Sequence, residues 1–539
     1  MGIYLNSESA YTLYKSETQK PYFVDKSRMI EELFPLIEEG ANHICITRPR
    51  RFGKTVTANM ISAFFSRARE AADIFDRLKI STSQNYSKYC NQYNVIHISL
   101  NDISRQCTTY EEYITRIEQR LVRDLKRAYP QAELDGEESA VDALMEIYTE
   151  NSENRFIFIF DEWDFLFHQP FVTEKEKREY LSYLRSLLKD RPYVILAYMT
   201  GILPIAKYSS GSELNMFTEY TMLSEEKFSE VFGFTDSEVD SLYQKYTDYT
   251  DHIKVTREGL RYWYNGYHTF SGERVYNPRS VVCALRNNNL GNYWTSAGPY
   301  DEIYYYIENN VAAVRDDLAL MVSGIPVPAK IREYAATSMN LNTKDEIFSS
   351  MVVYGFLSYE NGKVSIPNKE LMDRFDEMLQ RESSLGYVYR LARASDRMLE
   401  ATLSGDVDTM AEILELAHDT EVPLLRYNNE TELSAVVNLV YLSARDRYRV
   451  EREDKAGTGY VDFIFYPETD KSLDCIILEL KVDSSPEEAI GQIKTKKYDL
   501  RFRERIGEEQ KYTGRILAVG ISYDRKTKKH ICKVEVLRD

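Results

Sequence analysis

The sequence predicts an α/β chain: a parallel sheet with helices on both faces, then a mostly helical middle, then a second, smaller α/β domain. Three observations predict it. Over about the first 220 residues, β-branched apolar runs alternate with stretches of helical periodicity. From there to about residue 425 the apolar residues recur at helical spacing, interrupted by one hairpin signal. Beyond that, two apolar runs joined by a turn around "PETDKS" precede a helical stretch and two further short strands. At 539 residues the chain exceeds one ordinary core, and length alone gives about three or four domains.

The first element that carries chemistry is "ITRPRRFGKT", Ile46 to Thr55. It joins the strand-like run "HICIT" to "TVTANMISAFFSRA", whose apolar residues have helical spacing. That order suits a phosphate-binding loop, because backbone N–H groups and a helix N-terminus surround the anion. Lys54 would neutralise the terminal phosphates, Thr55 would give its hydroxyl to Mg²⁺, and Gly53 lets the backbone close on the ligand. The loop opens with Arg48 where glycine is usual; Arg48-Pro49 reaches the turn by another backbone route and adds positive charge. Next, "RFIFIFDEWD" (Arg155 to Asp164) reads as a buried strand ending in Asp161-Glu162, at the sheet edge where ligands bind. Asp161 would hold Mg²⁺ through water, and Glu162 would orient and deprotonate the attacking water. Asp161 as a helix N-cap is the alternative, and it leaves Glu162 unexplained. "NVIHISL" and "YVILAYMTGI" supply two further strands. Thr200, at the end of the second, has two readings: a polar sensor beside the γ-phosphate, or a buried threonine bonded to backbone.

These residues resemble a known group. "YFVDKSRMIEEL" (Tyr22 to Leu33), "RPRRFGKT", "FDEWD" and "MTGI" are similar to the AAA-ATPase-like family of bacterial and archaeal proteins, in which an Arg-Pro-Arg-Arg-Phe-Gly-Lys-Ser/Thr loop replaces the glycine start. "WYNGYHTFSGERVYNPRSV" (Trp263 to Val281) extends the resemblance into a mostly helical lid. The resemblance implies a P-loop NTPase core over 1–220, with ATP held by Arg48, Pro49, Arg50, Arg51, Phe52, Gly53, Lys54 and Thr55. It implies Mg²⁺ at Thr55 and Asp161, and hydrolysis by Asp161 with Glu162. Asp25 and Lys26 match the family's Val-Asp-Lys motif, for which the sequence gives no role.

In the middle, "SEEKFSEVFGFTDSEVDSLYQKY" reads as short amphipathic helices whose tyrosines pack helix on helix. Arg261 and Arg279 are candidates for a second arginine at the γ-phosphate. Two helices and "GFLSYENGKVSIPN", with Asn361-Gly362 at a hairpin turn, resemble a winged-helix module. Few basic residues line it, which favours a bridge over a DNA contact. The expected segments are a helical lid over 221–328, a winged-helix-like module over 329–378 and an acidic helical linker over 379–425.

The last domain, 426–539, holds "GYVDFIFYPETDKSLDCIILELKV". Period-two geometry puts Glu479 and Lys481 on one face of a strand, where Asp462 on the adjacent strand can share a divalent ion with Glu479. Lys481 then stands ready to orient or activate a water, which suits phosphodiester hydrolysis. Glu-x-Lys alone arises by chance, and a sheet whose charges face solvent is the competing reading. With "VDFIFY" before it and "SPEEAIGQIKTKKY" after it, the cluster resembles the PD-(D/E)XK nuclease fold, the domain usually fused to this ATPase family. The resemblance implies Asp462, Glu479 and Lys481 as catalytic, Gln492 as auxiliary, and Glu432 as an additional metal ligand beside Asp462 and Glu479. One departure stands: Gly459-Tyr460 replaces the family's Gly-Arg, which removes one phosphate contact and leaves the metal site intact.

Composition bounds the rest. With 43% hydrophobic and 28% charged residues the chain reads as soluble and globular. No segment approaches the roughly 20 apolar residues of a membrane span. The six cysteines form no C-x-x-C pair and no export signal precedes the first helix, so a cytoplasmic location is expected. The seven histidines are dispersed, against a zinc site. A net charge of -17 excludes coating of DNA by the whole surface. From Lys481 onward, however, 15 Lys and Arg face 10 Asp and Glu, a local +5 that points to a polyanion or to a solvated helical face. The reading is an ATP-hydrolysing protein coupled to a metal-dependent nuclease acting on nucleic acid, DNA foremost, with Mg²⁺ or, at the nuclease site, Mn²⁺. The rival is a nucleotide-switched nucleic-acid-binding or scaffold protein, in defence against foreign DNA, whose nuclease-like domain does not cut. Assembly into a homo-oligomer is left open by the sequence.

Overall fold

The computed structural model describes residues 2–103, 107–134, 139–205, 214–223, 226–294, 311–331, 341, 343–381, 383–385, 387–416, 430–456, 459–468, 470–502 and 512–538. The chain divides into two compact units: Met1–Pro299 with Ala329–Gly362 and Pro367–Glu370, and Tyr300–Pro328 with Lys363–Ile366 and Leu371–Asp539.

In the first unit, β1 (His43–Thr47), β2 (Asn94–Ser99), β3 (Phe156–Asp161), β4 (Val194–Gly201) and β5 (Thr218–Tyr220) form one sheet in the order β2-β3-β4-β1-β5. Every pairing is parallel. Each residue of β3 and β4 is buried, which is why both strands are continuous apolar runs rather than alternating ones. Parallel pairing requires crossovers, and helices α1 (Lys54–Phe65), α2 (Tyr110–Ala128) and α3 (Glu174–Leu188) lie within them. Helices α2 and α3 each start with a capping box, Thr109 with Glu112 and Thr173 with Glu176, so two orphan N–H groups at each start are satisfied reciprocally. The register sets Thr47 against Gly201 and Asp161 against both Ser99 and Thr200. The ends of β1, β3 and β4 therefore converge on one edge.

Helices α4 (Asp236–Tyr249), α5 (Arg257–Tyr264) and α6 (Pro278–Asn287) pack around Val239, Leu242, Tyr246, Leu260, Tyr264 and Tyr276, so the tyrosines of this region serve helix packing. The Val-Asp-Lys motif acquires a structural role. Asp25 accepts the N–H groups of Ser27 (2.8 Å) and Lys79 (2.6 Å). Lys26 donates to the Glu230 carbonyl (2.6 Å) and pairs with Glu238 of α4 (2.7 Å), tying the N-terminal segment to that helix. At the expected hairpin, Asn361 and Gly362 have φ of 49° and 79°, the left-handed pair a tight turn needs.

In the second unit, β6 (Tyr448–Ala456), β7 (Gly459–Pro467), β8 (Cys475–Val482), β9 (Ile516–Asp524) and β10 (Lys529–Arg538) form a sheet in chain order. Strands β8 and β9 are parallel and the other pairs antiparallel. Helices α7 (Glu430–Val440) and α8 (Pro486–Thr495) both pack on β8. Ile464, Tyr466, Cys475, Ile477, Ile490, Ile493 and Ile516 form the core under α8. Among the described residues no helix is long and apolar enough to cross a membrane.

Candidate functional site

The chain leaves β1 at Thr47 and turns into α1 through Arg51 (φ 69°) and Gly53 (φ 91°). Both lie in the left-handed region, so the turn draws on a glycine's freedom only at its end. Arg48, expected to add positive charge to the loop, turns its side chain inward. Its guanidinium is buried and donates to the carbonyls of Thr47 (2.8 Å), Tyr220 (2.8 Å) and Phe228 (3.1 Å), and it lies 5.0 Å from the Phe232 ring. A planar fork of donors satisfies several carbonyls at once, so Arg48 fastens the loop to β5. Phe52 packs edge-on against Tyr267, and Arg51 donates to the Tyr293 carbonyl (2.8 Å). Pro49 lies against Gly355, where a Cβ would come within 2.7 Å of it. Arg50 is half-buried.

Lys54 is buried at the start of α1, and its Nζ donates to the carbonyls of Arg48 (2.8 Å) and Pro49 (2.9 Å). Burial lowers its pKa to about 8, against the pull of Asp164, Asp161 and Glu162. Asp161 and Glu162, the two acids the sequence singled out, and Asp164 all act on this lysine electrostatically. Asp161 is 1% exposed; burial raises its pKa to about 6, opposed by the Thr55 hydroxyl. Its Oδ1 is buried with no hydrogen-bond partner. Glu162 follows at φ 54°, a left-handed conformation that costs a non-glycine residue about 1 kcal/mol or more.

Asp164 is a residue that sequence reasoning missed. Its buried carboxylate accepts the N–H groups of Ile202 (3.0 Å) and Leu203 (2.8 Å), and His168 lies 3.8 Å away. Burial alone would raise its pKa, but His168 and the two N–H groups hold it below the usual range. Trp163 Nε1 donates to the Leu203 carbonyl (3.1 Å). A Cβ on Gly201 would come within 2.5 Å of Asp164 Oδ1, so this close approach requires glycine. "FDEWD" and "MTGI" are therefore one assembly, and the signal was a third acid after Asp161 matched to a glycine at the end of β4. The buried Thr200 hydroxyl donates to the Ile46 carbonyl (3.0 Å) and ties β4 to β1, the backbone contact named in the second of its two readings. Arg261 lies 3.7 Å from Asp236 of α4, and Arg279 lies near Arg51.

In the second unit, pairing of Phe463 with Leu478 brings Asp462 beside Glu479. Asp462 Oδ2 accepts the Leu480 N–H (2.7 Å). Glu479, 3% exposed, accepts on Oε1 from Lys481 Nζ (3.3 Å) and from Gln492 Nε2 of α8. Its Oε2 is buried without a hydrogen-bond partner. Burial raises the Glu479 pKa to about 7; Asp462 adds to the rise and Lys481 opposes it. The side chain of Glu432 lies outside the described residues. Glu430, also on α7, lies 3.9 Å from Lys481. Among the described residues no three His, Cys, Asp or Glu side chains gather as a ready metal cage. Asp462 and Glu479 make a two-carboxylate site, which leaves positions for water and phosphate oxygens. The unpartnered oxygens of Asp161 and Glu479 both fit a hard divalent cation, because a buried carboxylate oxygen without a donor is costly unless a charge satisfies it.

Comparison with known proteins agrees with this division. Residues 13–210 match the family model of a predicted AAA-ATPase, and residues 429–532 match that of the PD-(D/E)XK nuclease superfamily. An uncharacterized protein in the vnfD 5' region of Azotobacter chroococcum mcd 1 is 26% identical over 290 residues. The match spans 51% of this chain and about half (51%) of that relative. Among solved structures, a Walker-type ATPase of Pyrococcus abyssi aligns at 13% identity and a TM-score of 0.34, over 65% of this chain and 94% of that one. The ORC2 protein of Aeropyrum pernix, in its ADPNP-ADP complexes, aligns at 11% identity and a TM-score of 0.33, over 67% and 94%.

Proposed function

We propose, from a predicted AAA-ATPase domain at 13–210 and a PD-(D/E)XK nuclease superfamily domain at 429–532 in one chain, that this protein binds and hydrolyses ATP and cleaves nucleic-acid phosphodiesters, DNA foremost. The observation that carries the reading is the pair of buried, unpartnered carboxylate oxygens, Asp161 Oδ1 and Glu479 Oε2, each in a cluster with a lysine. Thr55 with Asp161, and Asp462 with Glu479, would each hold a divalent cation, Mg²⁺ or at the second site Mn²⁺, which when bound neutralises phosphate charge and stabilises a leaving oxygen.

This chain's own residues do the rest. Lys54, already at the mouth of the loop, exchanges its bonds to the Arg48 and Pro49 carbonyls for the terminal phosphates. Glu162 orients the attacking water and takes its proton. Asp164 and Trp163 hold the 201–203 backbone in place behind the phosphates. At the second site Lys481 positions the attacking water, and Gln492 fixes the rotamer of Glu479. ATP binding governs cleavage by shifting a two-state equilibrium of the chain.

Purified protein incubated with DNA and RNA, single- and double-stranded, with and without ATP and with Mg²⁺ or Mn²⁺, tests each part. Lys54→Ala is expected to abolish ATP turnover, and Lys481→Ala to abolish cleavage while binding persists. Binding without cleavage under every metal would replace the nuclease with a scaffold. A cleavage rate indifferent to ATP would remove the coupling.

A further inference from the structure

Among the described residues, the cations of the C-terminal end divide into those that close ion pairs and those that do not. Lys494 pairs with Glu535 (2.5 Å), Lys533 with Glu487 (3.4 Å), Arg515 with Asp474 (2.6 Å) and Arg525 with Asp483. Lys481 belongs to the site already described. Among the described residues, Lys496, Lys497, Lys526, Lys528 and Lys529 close no ion pair. Asp483, which lies close to this turn, is already bound by Arg525.

These lysines lie at opposite ends of one sheet. Lys496 and Lys497 follow α8, and the next residue, Tyr498, packs with Cys475 and Ile516, the first residues of β8 and β9. Lys526, Lys528 and Lys529 occupy the turn from β9 to β10 and its first strand residue, all exposed. Lys481 pairs with Ser522 and Val482 with Tyr523 in parallel register, so this turn leaves the sheet at the end where Glu479 and Lys481 stand. The turn is also fixed. Asp524 Oδ1 accepts the N–H groups of Lys526 (2.8 Å) and Thr527 (2.7 Å), and Lys528 takes a left-handed φ of 56°. Arg525 donates its N–H (3.0 Å) and its Nε (2.5 Å) to Asp483, two residues beyond Lys481. Three cations are thus braced to the strand that carries the catalytic pair.

We propose that the β9–β10 turn is a phosphate clamp: Lys526, Lys528 and Lys529 grip the backbone of a nucleic-acid duplex beside the phosphate held at Asp462, Glu479 and Lys481. The assignment rests on the nuclease reading of that cluster. From Ser522 to Lys526 the chain advances at most about 13 Å, which matches about four base-pair steps along a duplex. A lysine offers a point charge without base discrimination, so the clamp positions the duplex and leaves sequence unread. A net charge of -17 repels a polyanion elsewhere, which sharpens the selection of this end.

The test uses the full chain carrying Lys481→Ala, so that binding of a labelled DNA duplex is read without cleavage, in Mg²⁺ over a series of salt concentrations. Adding K526E/K528E/K529E is expected to weaken binding at least about tenfold and to lower the slope of log K against log salt by about 2 to 3. K526Q/K528Q/K529Q should give an intermediate loss, and K496E/K497E should bind as the parent does. Thermal melts confirm that each variant is folded. Parent-like affinity and slope in the triple reversal, with metal-dependent cutting by the unmodified protein, would overturn the clamp and leave the nuclease standing. So would an equal loss in K496E/K497E, which marks a general charge effect. Absence of both binding and cutting in the unmodified protein, with Mg²⁺ and with Mn²⁺, would remove the clamp and the nuclease reading together.

Discussion

Both sheets end in a buried carboxylate near a lysine, but they assemble that pair by different routes. In the C-terminal sheet Glu479 and Lys481 are two residues apart on β8, and Asp462 arrives through the register of the adjacent strand. Strand alternation by itself brings these groups together. In the N-terminal sheet Lys54 follows β1 and Asp161 ends β3, with β4 hydrogen-bonded between them. Nothing local joins them, so the site exists only when three parallel strands have formed in order. The first site is consequently held by several tertiary supports, Arg48, Asp164 and Thr200, where the second has Gln492 of α8 bonded to Glu479.

The sharpest way to break the comparison is to remove the carboxylate on which each site turns. Glu479→Gln should lower cleavage by about 10³-fold or more while ATP turnover persists, and Asp161→Asn should lower ATP turnover by a similar factor, with cleavage falling only as far as it depends on bound nucleotide, measured by nuclease and phosphate-release assays on the same preparations. Loss of both activities from Glu479→Gln would mean that the sites are not separate machines.

Next in size is a difference in support. Arg48 satisfies carbonyls on β1, β5 and the segment after it, so Arg48→Ala should destabilise the first unit by about 2–4 kcal/mol through orphaned buried acceptors. Nucleotide affinity, measured where the variant is folded, should change less than stability does. A tenfold loss of affinity in an undestabilised variant would restore Arg48 to the phosphate site.

The shared predicament of the two acids makes stability depend on pH in the direction opposite to that of a salt-bridged carboxylate. Glu479 rises from 4.5 to about 7 and Asp161 from 3.8 to about 6 on folding. Between each pair of values the folded chain holds a proton that the unfolded chain has lost, so stability is greatest at the acidic side and falls as pH rises through these windows. From pH 5 to 8 the metal-free protein should lose about 2–3 kcal/mol through Glu479, read by denaturant titration. Glu479→Gln should flatten that slope. Mg²⁺ should restore stability at the upper end, because a cation takes the place of the proton. A smaller effect is expected at Gln492, whose amide donates to Glu479: Gln492→Ala should weaken Mn²⁺ binding about tenfold by calorimetry.

The contrast also accounts for what the sequence disclosed. Asp462, Glu479 and Lys481 were legible because alternation and one turn place them, and "FIFIFDE" was legible because a fully buried parallel strand has a distinctive apolar run. The hairpin at Asn361-Gly362 followed from turn chemistry alone. The inward contacts of Arg48 were not legible because its partners, Tyr220 and Phe228, lie far along the chain and offer only carbonyls, which no side-chain pattern reveals. Asp164 was overlooked for the same reason: it binds the N–H groups of Ile202 and Leu203, an interaction written in backbone rather than in residue type. On α7 Glu430 lies 3.9 Å from Lys481, a contact set by the rotation of the helix against β8, which the sequence pattern does not carry. Local geometry was readable, and contacts made through backbone groups were not.

Thr200 offers the finest discrimination between the two kinds of residue. A sensor at the γ-phosphate acts on the reaction, so replacing its hydroxyl should lower turnover about 10²-fold. A threonine that bonds the Ile46 carbonyl acts on the sheet, since it links β4 to β1 beneath the phosphate loop. Thr200→Val keeps the shape of the side chain and deletes only the hydroxyl. It should cost about 1 kcal/mol of stability, the worth of one buried hydrogen bond, and leave the ATPase rate within a few-fold of the parent. Because the same bond is missing in every nucleotide state, KM and kcat should shift little and together. A large fall in kcat at unchanged stability would move Thr200 from the scaffold into the chemistry, and would show that the N-terminal site draws on its supporting strands during turnover as well as before it.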